Sequence, residues 1–240
     1  MLVAAAVCPC PPLLVPEVAA GAAPELDRLR DACATALDEL AAARPDLLIV
    51  VGPAAHAGRG PHPEGATATF SGFGVDLAVR LGRERAAPAD RPLPPSLAVG
   101  AWLLGRARWT ETTDTAVEGL GVGEPLETER CVSAGQDLAA RADRVALLVM
   151  GDGSACRTLK APGYLDERAE AFDADAARAL ADADPAALIA LDASLAYRLK
   201  AAGRAPWQVL AGAAEGAGLR GRLLHEDAPY GVGYFVAAWS

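Results

Sequence analysis

Residues 8–17, with the sequence Cys-Pro-Cys-Pro-Pro-Leu-Leu-Val-Pro-Glu, follow directly on an apolar run, Leu2–Val7. The run favours a buried β-strand, and four prolines lie within the eight positions 9–16. Because proline lacks the backbone N–H that a sheet requires, the strand must end here and the chain must leave in a rigid, extended turn. The turn therefore lies at the carboxyl end of the first strand, where open α/β sheets bind their ligands.

Two further aliphatic runs, Asp46–Gly52 and Arg144–Met150, indicate strands that are covered on both faces. Between the first two strands, residues 24–43 carry leucine and cysteine at helical spacing, and Pro24 suits a first helical position. A strand, a helix and a second strand in this order predict a parallel pair joined by a right-handed crossover. We therefore expect the three strands to be neighbours in one sheet.

The remaining segments predict one domain over residues 1–240, with no internal repeat and no long linker. Helices are predicted over 96–106, 128–141, 164–183, 185–202 and 206–217, and weaker strands over 67–70 and 75–81. Loops are predicted over 52–65 and 86–95, and a β-hairpin that closes the sheet over 219–225 and 231–239. The predicted fold class is a three-layer α/β/α domain with a mostly parallel central sheet.

Composition excludes several classes of partner. The formal net charge is −9, with 22 basic and 31 acidic residues and no basic run, so nucleic acid is not expected to bind. No apolar stretch has membrane-spanning length, and the start lacks the basic region of a signal peptide. Five scattered cysteines suggest reduced thiols and a cytoplasmic location. The partner is then a small molecule or a protein of unknown identity, and a homo-oligomer is compatible with the sequence.

Chemically distinctive side chains follow three of the predicted strands. Cys10 follows the first strand, His56 the second, and Asp152 with Ser154 the strand that ends at Met150. Loops that leave neighbouring parallel strands meet at one edge of the sheet. We therefore predict that Cys10, the 52–56 loop and Asp152 converge on a single cleft.

The first turn resembles the Pro-His-Pro-Pro turn of the class III extradiol ring-cleavage dioxygenases (the LigB-like, B-subunit-like group) and of the related Memo-like proteins, with Cys10 in place of histidine. Four later segments are similar to motifs of the same families, in the same order. Residues 146–157 resemble a strand followed by Gly-Asp-x-Ser-His-Arg, and Phe172-Asp173 matches a Phe-Asp pair. Residues 202–206 resemble Cys-Gly-Arg-x-Pro or Glu-Cys-Gly-x-x-Pro, and 230–235 resembles the terminal strand. The resemblance covers nearly the whole chain and implies the extradiol dioxygenase B-subunit fold.

The chain departs from the family at the residues that perform chemistry. Family enzymes hold iron with two histidines and a carboxylate. The resemblance aligns these ligands with Cys10, Ala54 and Ala202, and aligns the acid/base histidine with Ala155 or Cys156. It therefore implies a degenerate member that has lost the iron site and ring cleavage, needs no cofactor, and acts as a binding or interaction protein.

Two enzymatic alternatives remain open at this point. In the first, the protein is an active metal-dependent dioxygenase-like oxidoreductase that holds iron or zinc through Cys10, His56 and a carboxylate not identified. In the second, a Cys10 thiolate acts without a metal. Against both, a buried free cysteine commonly only fills an apolar space, and Cys8-x-Cys10 lacks the second cysteine pair of a structural zinc site.

The other polar candidates also have a structural explanation beside a functional one. Asp152 and Ser154 are cleft candidates that would orient a ligand or its water, or they only bond local backbone N–H groups in a sharp turn. His62 is predicted to be a solvated loop residue. His225 is predicted to lie in the terminal strand and to bond its acidic neighbours, Glu226 and Asp227.

Overall fold

The structure is a computed structural model, and it describes residues 1–85 and 91–240. The strands within these residues are β1 (Leu2–Cys8), β2 (Leu47–Pro53), β3 (Gly60–His62), β4 (Thr67–Thr69), β5 (Ala78–Arg80), β6 (Ala116–Val122), β7 (Val145–Met150), β8 (Gly221–Asp227) and β9 (Tyr234–Trp239). The helices are α1 (Pro16–Ala19), α2 (Asp27–Ala42), α3 (Pro95–Arg106), α4 (Trp109–Thr112), α5 (Thr128–Ala139), α6 (Ala169–Asp182), α7 (Pro185–Ile189), α8 (Ala193–Arg198) and α9 (Arg204–Ala213).

Seven strands form the central sheet, in the order β3-β6-β2-β7-β1-β9-β8. The four central strands, β6, β2, β7 and β1, are parallel, and the outer strands pair antiparallel to their neighbours. Val145 of β7 lies opposite both Leu2 of β1 and Leu47 of β2. The prediction that the three aliphatic runs are adjacent, parallel strands is confirmed.

Helices cover both faces of this sheet and divide the core into two apolar layers. One layer contains side chains of α2 and α3, such as Leu37 and Leu97. The other contains side chains of α5, α6 and α9, such as Cys131, Phe172 and Leu210. All six residues of β7 are buried, as expected for a strand that lies between two helical layers.

The sequence pattern did not predict β6, and a close backbone approach explains why. Its sequence, Ala-Val-Glu-Gly-Leu-Gly-Val, contains two glycines and a glutamate and does not resemble a buried strand. A Cβ on Gly121 would lie 2.0 Å from the carbonyl oxygen of Gly58. Position 121 therefore requires glycine, because the 56–58 turn packs directly against β6 there. The predicted loop over 52–65 is thus wrong in part, because it contains β3.

Several predicted helices have different bounds in the structure. Residues 20–26 form 3₁₀ turns, so the first long helix begins at Asp27 and Pro24 precedes it. The predicted helix over 185–202 is two short helices, because the Asp184 and Asp192 side chains each accept an N-cap hydrogen bond, from Ala187 and Leu195. The predicted helix over 164–183 begins only at Ala169.

The other predicted segments agree more closely with the structure. β4 and β5 pair with each other in a separate two-stranded sheet, and β8 and β9 form the predicted hairpin, with β9 also pairing to β1. Of the predicted connection over 86–95, residues 86–90 lie outside the described residues, and α3 begins at Pro95. Among the described helices, none combines the length and the apolar character that crossing a bilayer requires.

Candidate functional site

The turn after β1 and the loop after β7 are joined by direct hydrogen bonds. The backbone N–H of Cys10 donates to Asp152 Oδ1 at 2.8 Å, and the N–H of Gly151 donates to the carbonyl of Cys8 at 2.9 Å. The prediction that Cys10 and Asp152 lie at the same edge of the sheet is confirmed. The Cys10 side chain is 8% exposed and lines a cavity at this edge.

Asp152 also binds the segment that precedes α9. Its carbonyl oxygen accepts a hydrogen bond from the N–H of Gly203 at 2.8 Å, beside Ala202. The two segments approach so closely that a Cβ on Gly151 would lie 2.5 Å from the Cα of Gly203. Burial raises the pKa of the Asp152 carboxyl to about 6, although the hydrogen bond from Cys10 opposes the rise. This carboxyl group therefore titrates closer to neutral pH than an ordinary aspartate does.

Tyr234, the first residue of β9, is a further polar group near Asp152. Its side chain is buried, and burial followed by the charge of Asp152 raises the pKa of its hydroxyl. The phenol therefore stays protonated at physiological pH and is available as a hydrogen-bond donor. Sequence reasoning placed 230–235 in the terminal strand but did not identify Tyr234 as a site residue, because only its position next to Asp152 reveals it.

A cavity of about 550 Å³ opens where β1 and β2 end. Cys10, Ala54, Arg59, Glu124 and Tyr197 are among its lining residues. We call this cavity the strand-end cleft. The Arg59 guanidinium donates a long hydrogen bond, 3.4 Å, from Nε to the carbonyl of Ala54, and it makes no ion pair within the described residues. The cleft thus offers a cation at its wall, and no motif in the sequence identifies Arg59 as a site residue.

Ser154, in the loop after β7, is buried and bonds to the buried Asp173 carboxylate. Its hydroxyl donates to Asp173 Oδ2 at 2.8 Å and its backbone N–H donates to Asp173 Oδ1 at 2.7 Å. Arg157 donates to Oδ2 of the same carboxylate at 3.2 Å. Burial raises the pKa of Asp173, and these three hydrogen bonds oppose the rise. With its hydroxyl engaged and its exposure at 0%, Ser154 fixes the 151–157 loop onto α6.

The candidate metal ligands do not form a cluster. His56 is exposed in the 3₁₀ turn 56–58, and it is not among the residues that line the strand-end cleft. Within residues 1–85 and 91–240, no three His, Cys, Asp or Glu side chains are placed to hold a metal ion together. The positions that the resemblance aligns with iron ligands carry a thiol at Cys10 and methyl groups at Ala54 and Ala202.

The thiol of Cys10 is poorly suited to act as a nucleophile. Burial, followed by the charge of Asp152, raises its pKa well above the ordinary value for a cysteine. A reactive cysteine needs the opposite, an electropositive environment that stabilises the thiolate. The geometry therefore favours Cys10 as an apolar filler of the turn.

The remaining histidines lie away from the cleft. The prediction for His62 is wrong: it is the last residue of β3, it is only 1% exposed, and its Nε2 lies 2.8 Å from the carbonyl of Gly58. The reason is that the Gly-Pro-His segment forms an edge strand against β6. His225 lies in β8 as predicted, opposite Val236, and its ring makes no hydrogen bond to Glu226 or Asp227.

Comparison with known proteins extends the description of the fold. No protein-family model and no curated protein sequence matches the chain. Among solved structures, the chain is similar to the crystal structure of an uncharacterized protein, JW3007, from Escherichia coli K12, with a TM-score of 0.55 and 13% sequence identity. The match covers 99% of each chain. At this identity the likeness concerns the α/β fold alone.

Proposed function

We propose that this protein is a class III extradiol dioxygenase-like or Memo-like protein that has lost its iron site, and that it binds a ligand in the strand-end cleft without cleaving a ring. The observation that carries the proposal is the composition of the three aligned ligand positions. Cys10 and Ala54 line the cleft, Ala202 precedes the Gly203 that binds Asp152, and the described residues contain no set of three metal ligands.

Loss of the metal ligands is accompanied by loss of the acid/base group. The two positions aligned with the family's histidine are Ala155, whose N–H binds the Leu199 carbonyl, and Cys156, whose thiol faces the same carbonyl at 3.5 Å. Neither side chain transfers a proton at neutral pH, since burial raises the pKa of Cys156. Removal of one general base commonly lowers a rate by about 10²–10⁴-fold.

Binding remains possible because the cleft keeps its shape and its polar groups. A cavity of about 550 Å³ is within the usual range for a small-molecule site. Arg59 supplies a cation, Glu124 and Ser96 are further polar residues of the lining, and Tyr197 is exposed at the rim. These groups suit a compact polar ligand.

An oxygen electrode and metal analysis test this proposal together. We expect no oxygen uptake with catechol in the presence of added ferrous iron, and less than stoichiometric metal in protein purified without a chelator. Catechol-dependent uptake that is lost on chelation and restored by iron would favour the alternative of an exchanged ligand set that includes Cys10 and His56, and would overturn the proposal.

A further inference from the structure

The loop after β7 and the end of α8 form one exposed surface. The two segments are in contact, because Lys200 Nζ donates a hydrogen bond to the carbonyl of Pro162 at 3.3 Å. We call residues 158–168 and 197–200 the loop–helix surface. It borders the strand-end cleft, since Tyr197 is also one of the residues that line that cleft.

Large apolar side chains are concentrated on the loop–helix surface. The described residues include seven large apolar side chains that are exposed, and four of them lie here. Their exposed fractions range from 45% to 65%. Single exposed apolar residues are ordinary in a soluble protein, whereas a group of them marks an interaction site. The four residues are Leu159, Tyr164, Leu165 and Tyr197.

The loop holds these side chains on a fixed backbone. Gly163 donates its N–H to the carbonyl of Ala155 at 2.8 Å, and Ala155 donates to the carbonyl of Leu199 at the same distance. A Cβ on Gly163 would overlap Cys156 Sγ, so the turn packs closely on the buried segment beneath it. Tyr164 follows with a φ of +63°, which is unfavourable for a bulky residue. The Tyr164 ring is therefore held in solvent on a constrained backbone, and a partner would bind it without first ordering the loop.

The surface carries both lysines of the chain, and neither forms an ion pair within the described residues. The Lys160 side chain makes no hydrogen bond there either, and Lys200 bonds only the Pro162 carbonyl. Arg168 already bonds both carboxylate oxygens of Asp166. With four cations and two carboxylates, the surface has two positive charges in a chain whose net charge is −9. The remaining two charged residues are Arg198 and Glu167.

The unengaged polar groups of this surface are mostly hydrogen-bond donors. The hydroxyls of Tyr164 and Tyr197 make no hydrogen bond in the part of the chain that the structure describes, and a lysine ammonium group can only donate. Of the two carboxylates, only Glu167 is unbonded among the described residues. A ligand that fits the surface therefore supplies acceptors together with apolar groups.

We propose that the loop–helix surface binds an acidic segment of a partner protein, in which carboxylates alternate with leucine or aromatic side chains. The carboxylates would accept hydrogen bonds from the lysine ammonium groups and the phenols, and the apolar side chains would cover Leu159 and Leu165. This binding goes beyond the cleft ligand proposed above and does not depend on it.

Two other occupants fit the charge less well. A second copy presents the same positive surface, so like charges oppose the pairing of two copies through it. An anionic membrane would face one whole side of a molecule whose net charge is −9. A short acidic segment, in contrast, is affected only by charges within about 8 Å at physiological ionic strength.

Calorimetric titration with three heptapeptides tests the proposal. Each peptide has leucine, phenylalanine and leucine between four copies of one residue, which is aspartate, asparagine or lysine. We expect the aspartate peptide to bind at least about tenfold more tightly than the asparagine peptide, and the lysine peptide not to bind. High salt should weaken the binding of the aspartate peptide and leave that of the asparagine peptide unchanged.

Substitutions with matched controls locate the binding surface. Lys160→Glu should weaken the aspartate peptide by about three- to tenfold, and Arg28→Glu, the same charge reversal at an exposed arginine of α2, should leave its binding unchanged. Leu159→Ser should weaken it by about tenfold, and Phe73→Ser, at another exposed apolar residue, should not. All four side chains are exposed, so the variants should fold, and an unchanged Tm checks this.

Failure of the aspartate peptide to bind, or equal binding of the three peptides, would overturn the proposal. Binding that neither Lys160→Glu nor Leu159→Ser weakens would overturn it as well. Two further outcomes would do so by identifying another occupant. Sedimentation with vesicles of phosphatidylserine and phosphatidylcholine that Lys160→Glu abolishes would indicate a membrane. A dimer in light scattering that Leu159→Ser dissociates would indicate a second copy.

Discussion

Asp152 connects three parts of the chain that are far apart in the sequence. Its side chain accepts from the backbone of Cys10, and its carbonyl accepts from Gly203. Both acceptors face backbone N–H groups, so these contacts persist whatever side chain occupies position 10 or 202. These bonds therefore hold the turn after β1, the loop after β7 and the segment before α9 together.

Asp152 should make stability fall as the pH rises, which is opposite to the effect of a salt-bridged carboxylate. Burial raises its pKa from 3.8 to about 6. Between pH 3.8 and about pH 6, the native state therefore holds a proton that the unfolded chain has lost. The stabilising contribution of this proton is fully present below pH 3.8 and is lost as the pH rises through about 6. The shift corresponds to on the order of 3 kcal/mol, from 3.8 to about 6.

Asp152→Asn keeps the acceptor oxygen and removes the titration. The wild type should lose this contribution between about pH 4 and about pH 7, and the variant should not. The free energy of unfolding of the variant minus that of the wild type should therefore be larger at pH 7 than at pH 4, as measured by urea unfolding at both pH values. An unchanged difference between the two proteins at the two pH values would show that Asp152 is well solvated.

Ser154 has a structural role that a conservative change can separate from ligand binding. Ser154→Ala removes the hydroxyl that donates to the buried Asp173 carboxylate, which should cost about 1–3 kcal/mol in the free energy of unfolding. Ser71→Ala, at an exposed serine, is the control and should cost little. Loss of cleft binding in a Ser154→Ala protein that remains folded would contradict this assignment.

At the scale of elements, the sequence predicted what local patterns determine. The runs that became β2 and β7 are aliphatic because each is covered on both faces, so they could be recognised without a partner. β6 could not be recognised, because its glycine at position 121 is required by the close approach of a neighbouring turn and not by the strand itself. The same limit applies to the site: proline marked the turn that holds Cys10, but only the tertiary structure brings Tyr234 to Asp152 or buries His62.

Two glycines provide a matched test of this explanation. Gly121→Ala should destabilise the protein by more than about 2 kcal/mol, because the new Cβ would lie 2.0 Å from the Gly58 carbonyl. Gly105→Ala, in α3, meets no atom within 4 Å and should stabilise by up to about 1 kcal/mol through helix propensity. Thermal unfolding of both variants measures the contrast. Equal effects would mean that β6 tolerates a side chain at position 121.

At the scale of the whole molecule, the three positions that the resemblance aligns with iron ligands lie on three segments that are far apart in the sequence. Cys10 follows β1, Ala54 follows β2, and Ala202 precedes α9. A metal centre at this place therefore requires several simultaneous substitutions, since a ferrous ion needs several nitrogen and oxygen donors that converge.

Cys10→His alone should not restore iron binding. Calorimetric titration with ferrous iron, under argon, should show much tighter binding by Cys10→His combined with Ala54→His and Ala202→Glu than by the single variant. The exposed position of His56 leaves the single variant without a second histidine in the cleft. Tight one-to-one binding by Cys10→His that His56→Ala abolishes would show that His56 is a working ligand after all.

The central position of β1 also affects how the chain matures during synthesis. β1 is translated before both of its sheet neighbours, since Leu2 pairs with Val145 and Ala5 pairs with Trp239. This apolar strand therefore has no hydrogen-bond partners until β7 and β9 have been translated. During that interval its edges are open to other nascent chains, and long-range parallel pairing is slow. The yield of folded protein therefore depends on keeping this strand from pairing with other chains before β7 and β9 are available.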